Sequence, residues 1–344
     1  MAFRITIIGL GLVGSSIGLA LKKAGADLEI VGHDKDHGAA KSAYKNKSVD
    51  RTEWNLISAC DGADLIVICT PLAGIKSTLT AIAAELKEGC VVTDTASLKV
   101  PVLNWARESL PATVHFVGGH PIIGKRGVAM ADPAGAVETG GEPRADLFAG
   151  AVYCLTPASD TPPVALQRVS DLAEAIGAKP YYMEATEHDG LIAVAEQVPL
   201  LMALALQDLV SSSPAHREIA RLSGADFQHV TQPLAGDAQA LSEVCDLNAA
   251  NIARWLDSFL GRLSSLRESV AHSLPGGPGR VEKDGQERQG GESLQEALAR
   301  ALEAHAGWAR QEMEGKDTDY SNFSATRMML GDTFRSRRKD GEMQ

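Results

Sequence analysis

Cysteine is scarce in this chain, with five in 344 residues at positions 60, 69, 90, 154 and 245, and no two of them share CxxC spacing. Scattered thiols exclude a zinc ribbon and a disulfide framework and fit buried thiols of a reducing compartment. Positive charge is also in short supply. Against 44 Asp and Glu stand 33 Lys and Arg, for a formal charge of −11, which removes the electrostatic attraction on which nucleic-acid binding depends. The first residues carry neither the basic region nor the cleavage pattern of a secretory leader, and their apolar run is far too short to span a membrane. These absences predict a cytoplasmic enzyme of small molecules, with no metal, nucleic acid or membrane among its partners.

What is present begins at once. Residues 4–16 form a short apolar strand that runs into glycines at 9, 11 and 14, the G-x-G-x-x-G spacing of a dinucleotide turn. Gly9 allows the tight turn, Gly11 lets the backbone approach a pyrophosphate, and Gly14 lets the next helix pack closely on the strand. That helix, read as Val13–Ala24, aims its N-terminal N–H groups, with those of Leu12 and Val13 foremost, at the phosphates. A second strand, Leu28–Gly32, leads to Asp34, about 20 residues past the glycines, where a carboxylate accepts hydrogen bonds from ribose hydroxyls. The same carboxylate repels a 2′-phosphate, so NAD is the expected cofactor. The neighbouring Lys35 softens that repulsion and leaves NADP open.

The first half alternates strand and helix, which predicts a mostly parallel, doubly wound α/β sheet covered on both faces. Further strands are read at Ala63–Cys69, Cys90–Thr93, Val114–Val117, Ala151–Leu155 and Pro180–Met183, with helices near Ala73–Leu86, Val100–Ser109 and Val164–Ile176. Ligands of such sheets bind beyond the carboxyl ends of the strands, so Thr70-Pro71, Asp94–Lys99 and Gly118–Gly124 should converge on the cofactor. Residues 130–144 read as a surface loop. From Glu187 the pattern becomes helical: Glu187–Ser211, Ala215–Leu222, Ala238–Asn248 and Ala249–Ser269. The first of these is apolar nearly all round, through Leu200, Leu201, Leu204 and Leu206, which suits a core or a dimer interface. The expected division is therefore a dinucleotide-binding domain at 1–184 and a helical substrate and dimerisation domain at 185–272. A flexible linker at 273–291 and a C-terminal helix with its tail at 292–344 complete it.

Two loops carry the candidate chemistry. Asp94–Lys99 places Ser97 and Lys99 at the rim of the cleft. In Gly118–Gly124, His120 stands between Gly and Pro, with glycines expected to admit a ligand and the imidazole placed for proton transfer.

With these motifs in this order the chain resembles the prephenate and arogenate dehydrogenases, which carry out the oxidative step of tyrosine biosynthesis, and the likeness extends over roughly residues 3–270. Glu187-His188-Asp189 matches a further motif of that family. The resemblance implies a Rossmann-type domain followed by an all-helical dimerisation domain, a homodimer, and NAD-dependent oxidative decarboxylation of a cyclohexadienol. It also implies roles: His120 takes the proton of the substrate's ring hydroxyl, Ser97 is its hydrogen-bonding partner, and His188 and Lys99 join the substrate site.

Two departures concern the substrate. Glu196-Gln197-Val198-Pro199-Leu200 replaces a Ser-His-Leu-Pro-His-like segment, and Thr231-Gln232-Pro233-Leu234 replaces Thr-Arg-Ile-Ala, so Gln232 stands where an arginine pairs with a carboxylate. Charge-assisted pairs contribute about 1.5–3 kcal/mol, so this exchange disfavours a dianion. Glu196 as an acceptor for an amino group favours arogenate or an amino-bearing analogue, and it is equally read as a solvated helix residue. Arg126, Arg217 and Arg221 are the candidate replacement cations. Two other readings compete. A β-hydroxyacid dehydrogenase would rely on a lysine in the helical half, and Glu187–Ser211 contains none. A homologue that binds NAD without turnover would fit the altered pocket residues but not the intact Ser97 and His120.

Overall fold

The structure is a computed structural model describing residues 3–25, 27–123, 141–272 and 293–314, with backbone alone for 309–314. Arg126, Gly124, most of the 130–144 loop, the 273–291 linker and the tail beyond Glu314 lie outside the described residues. Packing divides the described chain into two units, one ending at Ile252 and one beginning at Ala253.

The first unit is built on eight strands in the order β3-β2-β1-β4-β5-β6-β7-β8. They are β1 Phe3–Ile8, β2 Leu28–His33, β3 Arg51–Thr52, β4 Leu65–Ile68, β5 Val91–Asp94, β6 His115–Ile122, β7 Val152–Pro157 and β8 Lys179–Tyr182. All neighbours run parallel except β6 and β7. The central strands are apolar on both faces, as a sheet covered twice requires. Their side chains alternate between two cores: Ile5, Ile7, Leu65 and Val67 pack with Ile17 and Leu172, whereas Ile8, Ile66 and Ile68 pack with Ile75, Leu79 and Val102. The period of two sends successive residues to opposite faces. The one polar residue of β1 that is fully buried, Thr6, is satisfied by donating its hydroxyl to the Ala59 carbonyl at 2.7 Å.

The helices are α1 Leu12–Ala24, α2 His37–Lys45, α3 Leu56–Cys60, α4 Leu72–Ile82, α5 Val100–Ser109 and α6 Pro163–Ala175. The sequence reading lacked α2, β3 and α3. These are short and depend on caps: Asp36 accepts from Gly38 N at 2.8 Å and Asn55 from Ser58 N at 2.9 Å, interactions that leave little hydrophobic periodicity to read.

Two expectations need correction. Within the expected Gly118–Gly124 loop, Gly118–Ile122 is not a loop but the end of β6, because β7 arrives antiparallel and pairs Gly118 with Thr156, Gly119 with Leu155 and His120 with Cys154. The predicted single helix at 187–211 is instead α7 Ala185–Ile192, a π turn at Ala193–Gln197, and α8 Val198–Ser211. The Val198 N–H reaches back to Ala193 O, and Pro199 enters the first turn of α8. Proline has no N–H to give to the preceding turn, so its arrival fits a widened coil. By length and composition the 185–211 segment is apolar enough to cross a membrane, with a mean hydropathy of 1.6. It nevertheless carries buried His188 and Asp189, both tied to the sheet unit as described below.

The remaining helices of this unit are α9 His216–Leu222, α10 Ala225–Thr231 and α11 Ala238–Leu247. Helix α12, Ala249–His272, begins in the first unit. The second unit comprises the rest of α12 together with α13, Leu294–Glu314.

Candidate active site

The glycine turn closes by direct contacts. Gly9 has φ +95°, and a Cβ on it would stand 2.7 Å from the backbone of Cys69; a Cβ on Gly14 would stand 2.0 Å from Gly9 O. Both positions therefore require glycine. At Gly11 a Cβ would meet nothing within 4 Å, so this position faces open space, as an approach site for phosphate needs. No side chain caps α1, which leaves its first N–H groups, those of Leu12 and Val13 among them, available to an anion.

Asp34 does more than wait for a ribose. Its Oδ2 accepts from Leu10 N at 2.7 Å and its Oδ1 from Asp36 N at 2.8 Å. The carboxylate thereby pins the glycine turn to the end of β2, and each oxygen retains a lone pair for a hydroxyl donor. At the end of β4, Thr70 Oγ1 is buried and has no hydrogen-bond partner among the described residues, and Pro71 is exposed beside it at the start of α4. An orphaned hydroxyl at the carboxyl edge of the sheet is the kind of atom a bound ligand satisfies. Open space at Gly11, uncapped N–H groups and the orphaned Thr70 together fit a dinucleotide.

Next to this cradle lies a buried polar cluster. Lys99 and Asp94 are both 0% exposed and form an ion pair. Lys99 Nζ also donates to Gly119 O at 2.6 Å, while Asp94 Oδ1 accepts from Gly119 N at 3.1 Å and Oδ2 from Ala96 N at 3.0 Å. Burial pulls the Lys99 pKa down and Asp94 counteracts it. The structure thus uses Lys99 to clamp the backbone, and no part of its side chain is open to a substrate. The glycines before His120 serve the same packing. A Cβ on Gly118 would stand 2.3 Å from Thr156 Oγ1, and one on Gly119 would stand 2.6 Å from Asp94 O. They make room for neighbouring strands and the clamp rather than for a ligand.

His120 extends past the last residue of β5 that pairs with β6, at the same edge as the glycine turn, and is 6% exposed. Its Nδ1 is 3.0 Å from His188 Nε2, and its Nε2 is 3.8 Å from Glu196 Oε1. Burial holds its pKa well below the usual histidine range, with His188 and Lys99 acting in the same direction. It is a neutral imidazole at physiological pH. The expected partner, Ser97, is half-buried, but the described hydrogen bond of His120 goes to His188. His188 itself is 1% exposed and contacts Asp189 through Nδ1 at 2.8 Å.

The π turn sets two side chains that the sequence reading placed on an ordinary helix. Glu196 is brought to His120, and Gln197 turns inward, where its Oε1 accepts from Asn248 Nδ2 at 2.7 Å. Asn248 Nδ2 also donates to the Asp189 carbonyl at 2.9 Å. Gln197 Nε2 is buried without a hydrogen-bond partner among the described residues. Asn248 is the residue that sequence reasoning missed, and its position just past α11 carries no motif that marks it.

Gln232 is placed apart from this cluster in the described contacts. It lines a cavity of about 600 Å³ with Gln207, Gln228, His229, Thr231, Leu234 and Ala235. Arg217 and Arg221 are exposed on α9. Burial raises the thiols of Cys60, Cys69 and Cys90 to about 12 and that of Cys154 to about 11, so none of these is a thiolate nucleophile at neutral pH. Among the described residues no cluster of His, Cys, Asp and Glu is arranged to hold a metal.

Comparison with known proteins agrees with this architecture. The prephenate dehydrogenase nucleotide-binding domain matches residues 17–182, and the prephenate dehydrogenase dimerization domain matches residues 184–276. The cyclohexadienyl dehydrogenase of Zymomonas mobilis is 29% identical over 270 residues, covering 78% of this chain and 88% of that protein. The probable prephenate dehydrogenase NovF of Streptomyces niveus is 31% identical over 286 residues, covering 81% of this chain and 72% of that protein. In fold, the chain is similar to prephenate dehydrogenase from A. aeolicus, solved in complex with hydroxyphenyl propionate and NAD+, at a TM-score of 0.71 and 22% identity. The similarity spans 91% of this chain and 98% of that one. With both domains matched in succession and a relative of this identity and coverage, the chain belongs to the prephenate dehydrogenase family.

Proposed function

We propose that the protein is an NAD-dependent dehydrogenase that oxidatively decarboxylates a cyclohexadienol of the prephenate or arogenate type. The observation that carries this reading is His120, a buried neutral imidazole at the carboxyl edge of the sheet beside a dinucleotide cradle. The Gly9–Gly14 turn, the α1 N-terminus, Asp34 and Thr70 would hold NAD, which when bound would supply the acceptor for a hydride.

The protein's own part is proton transfer and placement. His120 Nε2 takes the proton of the ring hydroxyl as the carbon that bears it is oxidised, and the ring then loses carbon dioxide and becomes aromatic. The Glu196 carboxylate, 3.8 Å from Nε2, favours the imidazolium that forms. In these substrates the hydroxyl and the side chain occupy opposite ring carbons. Glu196 therefore stands at the hydroxyl end, and the amino group of an arogenate-type substrate lies at the other. This placement supports a part in proton transfer over the recognition of an amino group.

The test is NAD reduction with prephenate, arogenate and several hydroxy acids, in the native protein and in His120→Asn. The variant is expected to lose turnover by about 10²–10⁴-fold while binding NAD as before. Turnover of a hydroxy acid but of neither cyclohexadienol overturns the proposal.

The protein is further proposed to work as a homodimer. Leu204 and Leu209 on α8 are 52% and 69% exposed in the single chain, and a second copy covering this face accounts for an apolar helix in a matched dimerization domain. Light scattering that reads the mass of one chain at micromolar concentration rejects it.

A further inference from the structure

We propose that Asp189 and His188 form a fixed relay that locks His120 in the tautomer whose Nε2 is the base, making both of them positioning residues rather than substrate-binding groups. The inference rests on the reading of His120 as proton acceptor.

Asp189 Oδ1 accepts from Lys99 N at 2.8 Å and Oδ2 from Val100 N at 2.9 Å. These are N–H groups at the start of α5, which no side chain of its own N-cap residue satisfies. A carboxylate held by two backbone donors is an acceptor on both oxygens. The contact of 2.8 Å between His188 Nδ1 and Asp189 Oδ1 therefore has the imidazole as donor. With that single proton on Nδ1, as the relay requires, His188 carries a lone pair on Nε2. His120 Nδ1, 3.0 Å away, must then be the donor in the second bond, and the neutral His120 is left with a bare Nε2.

Among the described residues no group outside the relay competes for the His120 nitrogens. The alternative within it, a His188 protonated on both nitrogens, would put the His120 proton on Nε2 and is read out by the experiment below. Glu196 Oε1 lies 3.8 Å from His120 Nε2, too far to hold a proton there by hydrogen bonding. Lys99, on the loop after β5, is bound to Asp94 and Gly119. Cys154, opposite His120 on β7, stays a neutral thiol. The two rings meet edge to face at 73°, with centroids 5.2 Å apart, so the second imidazole offers its nitrogen edge rather than stacking. Asn248, which donates to the Asp189 carbonyl, holds this turn of α7 in place.

The relay needs no proton to travel along it. When the substrate O–H bond breaks and the Nε2–H bond forms, His120 becomes an imidazolium that keeps its Nδ1–H bond to His188. Its charge then lies one imidazole away from the Asp189 carboxylate. His188 and Asp189 are 1% and 3% exposed, which leaves no surface for substrate contact.

The experiment uses the full chain labelled with [15N]histidine, with the His120 resonances assigned by loss in His120→Asn. Native His120 is expected to show a protonated Nδ1 and an unprotonated Nε2 near neutral pH. In His188→Leu the acceptor is gone, and the proton is expected on Nε2, with turnover down about 10²-fold or more and NAD affinity unchanged. In His188→Gln the side-chain carbonyl still accepts, so the native tautomer and part of the turnover return. A proton on Nε2 in the native protein overturns the proposal, and so does a His188→Leu variant with native tautomer and turnover. Where His188→Leu does not fold, the native and His188→Gln spectra decide. If the native protein oxidises no cyclohexadienol, the functional reading falls, while the spectra still judge the relay.

Discussion

Lys99 and Asp94 form a fully buried ion pair that grips Gly119 by its N–H and its carbonyl, one residue before His120. Such a pair contributes little net stability over an apolar replacement, but removing one partner strands the other charge in the interior. Lys99→Met is accordingly expected to cost about 3–5 kcal/mol, read as a lower urea midpoint. Lys99→Met with Asp94→Asn is expected to recover part of that loss. A Lys99→Met protein of native stability with only a raised KM would mean that the lysine serves substrate after all.

Acid should weaken the fold through His120. Its pKa in the folded state lies well below the usual histidine value, whereas in the unfolded chain it titrates near 6.5 or so. The unfolded state therefore binds the extra proton first. The contribution is fully present above about pH 6.5 and is lost as pH falls from there toward the folded pKa. Urea titrations between pH 5 and 7.5 should show the native protein losing stability in that window and His120→Asn losing less. The rate at low substrate should correspondingly keep its plateau below pH 6.5 or so, since the base is still unprotonated there. An acid limb centred near 6.5, like that of a free imidazole, contradicts this environment.

The cofactor cradle was legible because every part of it is local: glycines two and three residues apart, a helix that follows directly, and an acid at the end of the next strand. The cluster around His120 was not. Its bonds join His120 to His188 and Lys99 to Asp189, residues far apart in the chain, and no spacing rule records such pairs. Gly118 and Gly119 read as a ligand loop because glycine-rich stretches usually are loops, whereas here close strand packing and the Lys99 clamp exclude a Cβ. The π turn was hidden for a related reason: an apolar run with one proline has the same periodicity whether or not the helix widens for five residues. The direction that Glu196 and Gln197 take follows from that widening.

Asp34 holds the glycine turn and keeps a lone pair on each oxygen for a ribose hydroxyl. Asp34→Ser is expected to weaken NAD by about 10–100-fold, the equivalent of a charged hydrogen bond of about 1.5–3 kcal/mol, and to weaken NADP less, because the repulsion of a 2′-phosphate goes with the carboxylate. Dissociation constants for both cofactors, measured by fluorescence titration, give the ratio. If the native protein binds NADP as tightly as NAD, Lys35 outweighs Asp34.

Glu196 offers the sharpest discrimination between two roles. A carboxylate 3.8 Å from His120 Nε2 favours the imidazolium by about 1 kcal/mol at the water-like dielectric suited to its partial exposure. Glu196→Gln should then lower kcat about fivefold and leave KM little changed. In the proposed reaction the carboxylate stands at the hydroxyl end, so prephenate and arogenate should lose rate by the same factor. If Glu196 instead receives the amino group of the substrate, the variant raises KM for arogenate alone and shifts preference toward prephenate. Kinetics on both substrates, with the native protein alongside, separate the outcomes: equal losses in kcat assign Glu196 to proton transfer, and a selective rise in one KM assigns it to substrate choice.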